Sequence, residues 1–150
     1  MKLYHYTSLE HLREILESKE IKLTPSNLLR PKNPKLINGA LTDMTDSYKP
    51  TVWLTTIADF GKALQMGLTI TKTEAFIQIE ALPNITAVYK WTEWAERNGI
   101  DKQWYNDLKA TAPLYETFYV SERPIKITNQ TQIVFRPDIK AQLERTVNTK

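Results

Sequence analysis

Apolar residues along this 150-residue chain change their spacing repeatedly, from every second position to a helical period and back. That switching is the strongest constraint on the fold. Alternation buries one face of a strand, whereas a 3.6-residue period buries one stripe of a helix. Leu3, His5 and Thr7 alternate with Tyr4 and Tyr6, which predicts a strand over 3–7. Thr7 reads as the N-cap of the next element, with Glu10 as its capping-box partner. Leu9, Leu12, Ile15 and Leu16 then repeat at helical spacing, and the helix is expected to end near Lys19. Ile21 to Leu23 predicts a brief extended segment.

Residues 25–50 carry Pro25, Pro31, Pro34, Gly39 and Pro50 without a clean apolar period. They predict a long loop, folded over a cleft or holding a short helical turn. Val52 to Thr55 predicts a buried strand. Thr56 and Asp59 repeat the capping-box spacing before a helix over 57–66 that Gly67 stops. Phe76, Gln78 and Glu80 alternate with Ala75, Ile77, Ile79 and Ala81 as a strand does. Trp91, Trp94 and Ala95, then Trp104, Tyr105 and Leu108, predict helices on either side of Gly99. Leu114 to Val120 and Gln132 to Phe135 predict strands, and Pro137 with Asp138 opens a last helix through Leu143. No repeat and no linker interrupts the pattern. One α+β domain over residues 1–150 is expected, with helices packed beside a sheet.

Several chemistries are excluded by what is missing. No cysteine is present, so disulfides, thiolate catalysis and cysteine metal sites are ruled out. No Gly-rich turn follows a strand, so the dinucleotide fingerprint of a doubly wound sheet is absent. The two histidines have no carboxylate cluster beside them to make a zinc site. No stretch approaches the roughly 20 apolar residues of a membrane helix. The N-terminus lacks an apolar signal segment, and a cytoplasmic protein is expected. Net charge is a mild +3. Its local excess is Lys22, Arg30, Lys32 and Lys35, with no acid between Glu20 and Asp43. That segment is either a solvated loop or an attractor of phosphate.

Three residues stand out as candidates. His5 lies on a strand opposite two tyrosines, and a buried imidazole must satisfy both ring nitrogens, by a structural hydrogen bond or by a ligand. Trp53 alternates with Val52 and Leu54, as a core aromatic or a cleft residue. Glu116 falls on the same side of its expected strand as Leu114, Phe118 and Val120. A carboxylate there is costly unless paired, and such groups cluster at active sites. Glu122, in the turn Ser121-Glu122-Arg123-Pro124, reads as an exposed and replaceable acid.

Taken in order, these segments resemble the ADP-ribosyltransferase superfamily in its histidine–aromatic–glutamate form. Leu3-Tyr4-His5-Tyr6-Thr7-Ser8 before an amphipathic helix is similar to the first motif. Val52-Trp53-Leu54-Thr55-Thr56 is similar to the second strand, and Leu114-Tyr115-Glu116-Thr117-Phe118-Tyr119-Val120 to the glutamate strand. The resemblance implies an α+β fold with a curved, split, mixed or antiparallel sheet and flanking helices. It implies an NAD-dependent glycosyl transfer of ADP-ribose to a nucleic acid or protein, as in toxins of microbial or phage–host conflict. Partners would be NAD, a macromolecular acceptor, and an antitoxin or host protein. His5, Tyr6, Thr7, Trp53 and Thr55 would bind NAD. His5 and Glu116 would be catalytic, with Glu116 stabilising the oxocarbenium-like transition state. Tyr48, Lys49 or Arg30 would contact diphosphate or acceptor. Departures are visible: the second strand reads Trp-Leu-Thr-Thr where the family carries tyrosine or serine, and the glutamate strand lacks a doubled acid. The alternative class is a non-enzymatic protein that binds nucleic acid or protein.

Overall fold

The computed structural model describes residues 1–23, 36–37, 40–41, 50–66, 68–81, 87–99, 102–112 and 114–148. Arg30, Lys32, Lys35, Tyr48, Lys49 and Gly67 lie outside the described residues. In chain order the strands are β1 (Lys2–Thr7), β2 (Glu20–Ile21), β3 (Leu36–Ile37), β4 (Ala40–Leu41), β5 (Val52–Thr55), β6 (Ala75–Glu80), β7 (Val88–Lys90), β8 (Phe118–Ser121), β9 (Ile125–Lys126) and β10 (Ile133–Phe135). The helices are α1 (Leu9–Ser18), α2 (Phe60–Ala63), α3 (Trp91–Arg97), α4 (Lys102–Thr111) and α5 (Pro137–Asn148). Among the described residues none of these helices is long and apolar enough to cross a membrane.

Six strands form the main sheet in the order β10-β6-β1-β5-β8-β7, and each neighbouring pair runs antiparallel. β1 pairs with β6 along its whole length, from Lys2 opposite Glu80 to Thr7 opposite Ala75. Its pairing with β5 is limited to Tyr4 opposite Thr55. The two outer strands, β10 and β7, are not paired with one another. The sheet is therefore open, with helices beside it, and the curved, split ADP-ribosyltransferase-like sheet implied by the resemblance is corrected, because this sheet neither curls nor closes. Strand alternation fixes which residues are buried. It does not fix how a sheet bends, which depends on bulges and on pairing between distant strands.

Each face of the sheet carries its own apolar layer. On one face Leu3, Val52, Leu54, Ala75, Ile77, Ile79 and Val88 pack with Leu12 and Ile15 of α1 and with Ile21 of β2. On the other, Tyr6, Phe76, Phe118 and Val120 pack with Ala63 of α2, with Trp91, Trp94 and Ala95 of α3, and with Leu108 of α4. This follows from alternation, which sends neighbouring residues of a strand to opposite layers.

Local chemistry moved several boundaries. The N-cap of α1 is Ser8, whose Oγ accepts from the His11 amide at 3.2 Å. Thr7 instead is buried and donates to the Ser8 carbonyl at 3.2 Å. Leu16, expected on the apolar stripe of α1, is exposed, because Leu12 and Ile15 already fill the contact. Asp59 caps α2, accepting from the Gly61 and Lys62 amides, so the helix starts three residues beyond Ile57. It tightens after Ala63 into a 3-10 turn over Leu64–Met66. Within the expected loop, β3 and β4 pair with each other.

Candidate functional site

Where β1 and β5 part after their single pairing, a cleft of about 1080 Å³ opens. It is lined from both layers of the protein, by Ile15, Ile21 and Leu54 on one side and by Tyr6, Met66, Leu108, Ala112 and Phe118 on the other. His5, Thr7, Trp53 and Thr55 line it too, and its charged lining is mixed, with Lys22 and Lys72 facing Glu14, Glu17 and Glu20. Its size suits a ligand of nucleotide dimensions, and aromatic walls with a few polar groups are the usual make-up of a small-molecule site.

His5 sits at the seam. Its Nδ1 lies 2.9 Å from the carbonyl oxygen of Trp53. A carbonyl only accepts, so Nδ1 carries the proton and donates it. Burial lowers the His5 pKa, the Trp53 hydrogen bond opposes that, and the electrostatic influence of His11 lowers it further. The ring is therefore neutral near pH 7 and its Nε2 holds a lone pair. Among the described residues no hydrogen bond reaches Nε2.

The neighbouring residues are more constrained. Burial pushes the Tyr6 phenol up to about 12, and its hydroxyl donates to the Ile57 carbonyl at 2.8 Å. Thr117 gives its hydroxyl proton to the Leu114 carbonyl at 2.7 Å. Across a 2.9 Å contact Thr55 must then donate to Thr117, and it accepts from the Ile57 amide. Tyr6, Thr7 and Thr55 thus line the cleft with their hydroxyl protons already committed to the protein. Trp53, half-buried, meets Phe118 edge-on at 5.8 Å and lies tilted against Trp91 at 6.0 Å.

Glu116 is placed elsewhere. Residues Tyr115–Thr117 form a 3-10 turn and the strand begins only at Phe118. Bonds from the Tyr115 amide to Ala112 and from the Thr117 amide to Leu114 hold that turn. Glu116 is exposed and does not line the cleft. The expected inward carboxylate is corrected, because a turn breaks the alternation on which it rested. Glu122, read as an exposed turn residue, is half-buried and accepts from the indole Nε1 of Trp94 at 2.9 Å. The walls supplied by Met66, Leu68, Leu108 and Ala112 have no sequence signature, since long-range packing alone brings them to β1. Among the described residues no group of three or more His, Asp or Glu side chains is placed to hold a metal ion.

Comparison with protein-family models, with curated proteins and with solved structures finds no match to this chain. With the sheet open as well, the transferase, ADP-ribosylation and toxin readings implied by the resemblance are withdrawn.

Proposed function

We propose that this chain is a nucleotide-binding protein, with the β1–β5 cleft as its ligand site and NAD as the first ligand to test. The observation that carries the reading is His5. Its Nδ1–H is held by the Trp53 carbonyl, which leaves Nε2 as a fixed acceptor in a cleft walled by Trp53, Tyr6 and Phe118. A nucleobase or a carboxamide ring offers the complement, an N–H donor on its edge and a flat face for aromatic contact. Pinning one ring nitrogen fixes the other, so little ordering entropy is lost on binding. The same proposal places the protein in the cytoplasm, where such nucleotides abound.

Calorimetry with NAD, AMP and a short single-stranded oligonucleotide tests it, alongside quenching of tryptophan fluorescence. His5→Asn is the discriminating variant. The asparagine amide still donates to the Trp53 carbonyl, but nothing replaces Nε2. One lost hydrogen bond is worth about 0.5–1.5 kcal/mol, so affinity is expected to fall roughly twofold to tenfold with the fold intact. Absence of binding by all three ligands, or equal affinity in wild type and H5N, rejects the assignment.

A further inference from the structure

The charged groups of the cleft gather on its α1 side. His11, Glu14, Ile15 and Ser18 all line it, and their spacing puts them on one stripe of the helix. His5 looks toward that stripe, because it shares with Leu3 the face of β1 on which Leu12 and Ile15 pack. Glu17 flanks the stripe, Glu20 and Lys22 continue the lining at β2, and Lys72 adds to it from the 3-10 turn Thr71–Thr73. Three carboxylates thus stand against two ammonium groups. Arg13, outside the lining, lies 3.9 Å from Glu17, which brings the balance close to neutral. Both lysines are exposed. An exposed lysine on a flexible stem, with carboxylates around it, gives a phosphate little.

The fixed donors that a phosphate needs are engaged elsewhere. At the N-terminus of α1 the Glu74 carboxylate accepts from the Leu9 amide at 3.2 Å, and the Ser8 hydroxyl oxygen accepts from the His11 amide at 3.2 Å. Tyr6 and Thr7 donate to the Ile57 and Ser8 carbonyls, Thr55 donates to Thr117, and Ser18 donates to the Glu20 carbonyl. Among the described residues Tyr4 and Ser8 alone keep a lining hydroxyl proton to offer, and both groups are neutral. Acceptors, by contrast, are open. Nε2 of His5 holds a lone pair that no donor reaches, and among the described residues nothing pairs with the Glu14 carboxylate.

We propose that the cleft holds the nucleoside part of its ligand and leaves any phosphate in solvent, so that its ligand class is a nucleoside or nucleobase bearing an N–H donor. This rests on reading the cleft as a nucleotide site and narrows that reading to one end of the molecule. A wall of acceptors takes the amino or imino hydrogens of a base and the hydroxyls of a ribose. An oxyanion brought to the same wall meets lone pairs and carboxylates before it meets a fixed cation.

Calorimetry on the full chain at pH 8, where a solvated imidazole is uncharged, compares adenosine, purine riboside and AMP. Purine riboside lacks the 6-amino group of adenosine and is otherwise the same molecule. It should bind wild type about two- to tenfold more weakly than adenosine does. His5→Asn should bind the two equally, since the acceptor for that amino group is gone. AMP should match adenosine within about fivefold, the most that an exposed ion pair supplies, and the match should hold at about 1 M salt. AMP bound more tightly than that, with the excess removed by salt, overturns the proposal and leaves the nucleotide site standing. Purine riboside bound by wild type as tightly as adenosine overturns it too. Absence of binding by adenosine and AMP alike removes the nucleotide reading itself, and this inference with it.

Discussion

Replacing Glu122 by alanine takes away the acceptor that holds the Trp94 indole. Trp94 is fully buried at 0% exposure, and its Nε1 donates to the Glu122 carboxylate across 2.9 Å. The variant leaves that buried donor without its partner, and only water entering the space vacated by half-buried Glu122 can replace it. Such an orphan costs about 1–3 kcal/mol, and a hydrogen bond to an ionised acceptor is worth about 1.5–3 kcal/mol, two views of the same loss. The expected destabilisation is about 2 kcal/mol. For a chain of this length that lowers Tm by roughly 4–8 °C. Glu122→Gln keeps an amide oxygen as acceptor and should lose about half as much. Exposed Glu116 supplies the comparison, and Glu116→Ala should stay within about 0.5 kcal/mol of wild type. Urea unfolding at pH 7, followed by circular dichroism, measures all three. A cycle with Trp94→Phe isolates the contact, with an expected coupling of about 1 kcal/mol or more. If E122A is no less stable than E116A, or the cycle shows no coupling, the hydrogen bond is not what holds this layer together.

Three further outcomes are expected. His5 has a folded-state pKa below its ordinary 6.5, so the unfolded chain takes up the proton first as pH falls; its contribution to stability is full above pH 6.5 and declines toward the lowered pKa, and urea midpoints from pH 7 to 5 should show a slope that H5N reduces. Arg136 bonds the Ile70 carbonyl at 2.9 Å and the Thr73 hydroxyl at 3.1 Å while pairing with Asp138, so Arg136→Met should cost about 2 kcal/mol and speed exchange of the amides over 70–74. Lys19 ends α1 with a φ of 60°, a conformation that burdens a side chain, and Lys19→Gly should raise stability by about 0.5–1 kcal/mol in the same assay.

Period-two alternation made β1, β5 and β6 legible, and the stripe of Leu12 and Ile15 made α1 so. Both patterns record which side of an element is dry. The Tyr115–Thr117 turn was not legible, because Leu114, Glu116 and Phe118 alternate just as a strand does. What breaks the strand is the Thr117 hydroxyl bonded back to the Leu114 carbonyl, a contact with no imprint on hydrophobic spacing. Trp94 presents the same limit in reverse: its place in a core was readable, but its need for Glu122, 28 residues away, was not. His5 beside Trp53 was anticipated only through the family resemblance, and the proton assignment that gives His5 a role came from the carbonyl facing it.

The single register pair between β1 and β5 has a mechanical consequence. Elsewhere in the sheet a ladder of backbone bonds resists sliding; at this seam two side chains of β1 take over, His5 on the Trp53 carbonyl and Tyr6 on the Ile57 carbonyl, beside the apolar layers on either face. Apolar contacts have no preferred direction, so these two bonds are what set the alignment of β1 against β5. Anything that draws His5 away from the Trp53 carbonyl removes one of the two, and the joint between β10-β6-β1 and β5-β8-β7 loosens with it.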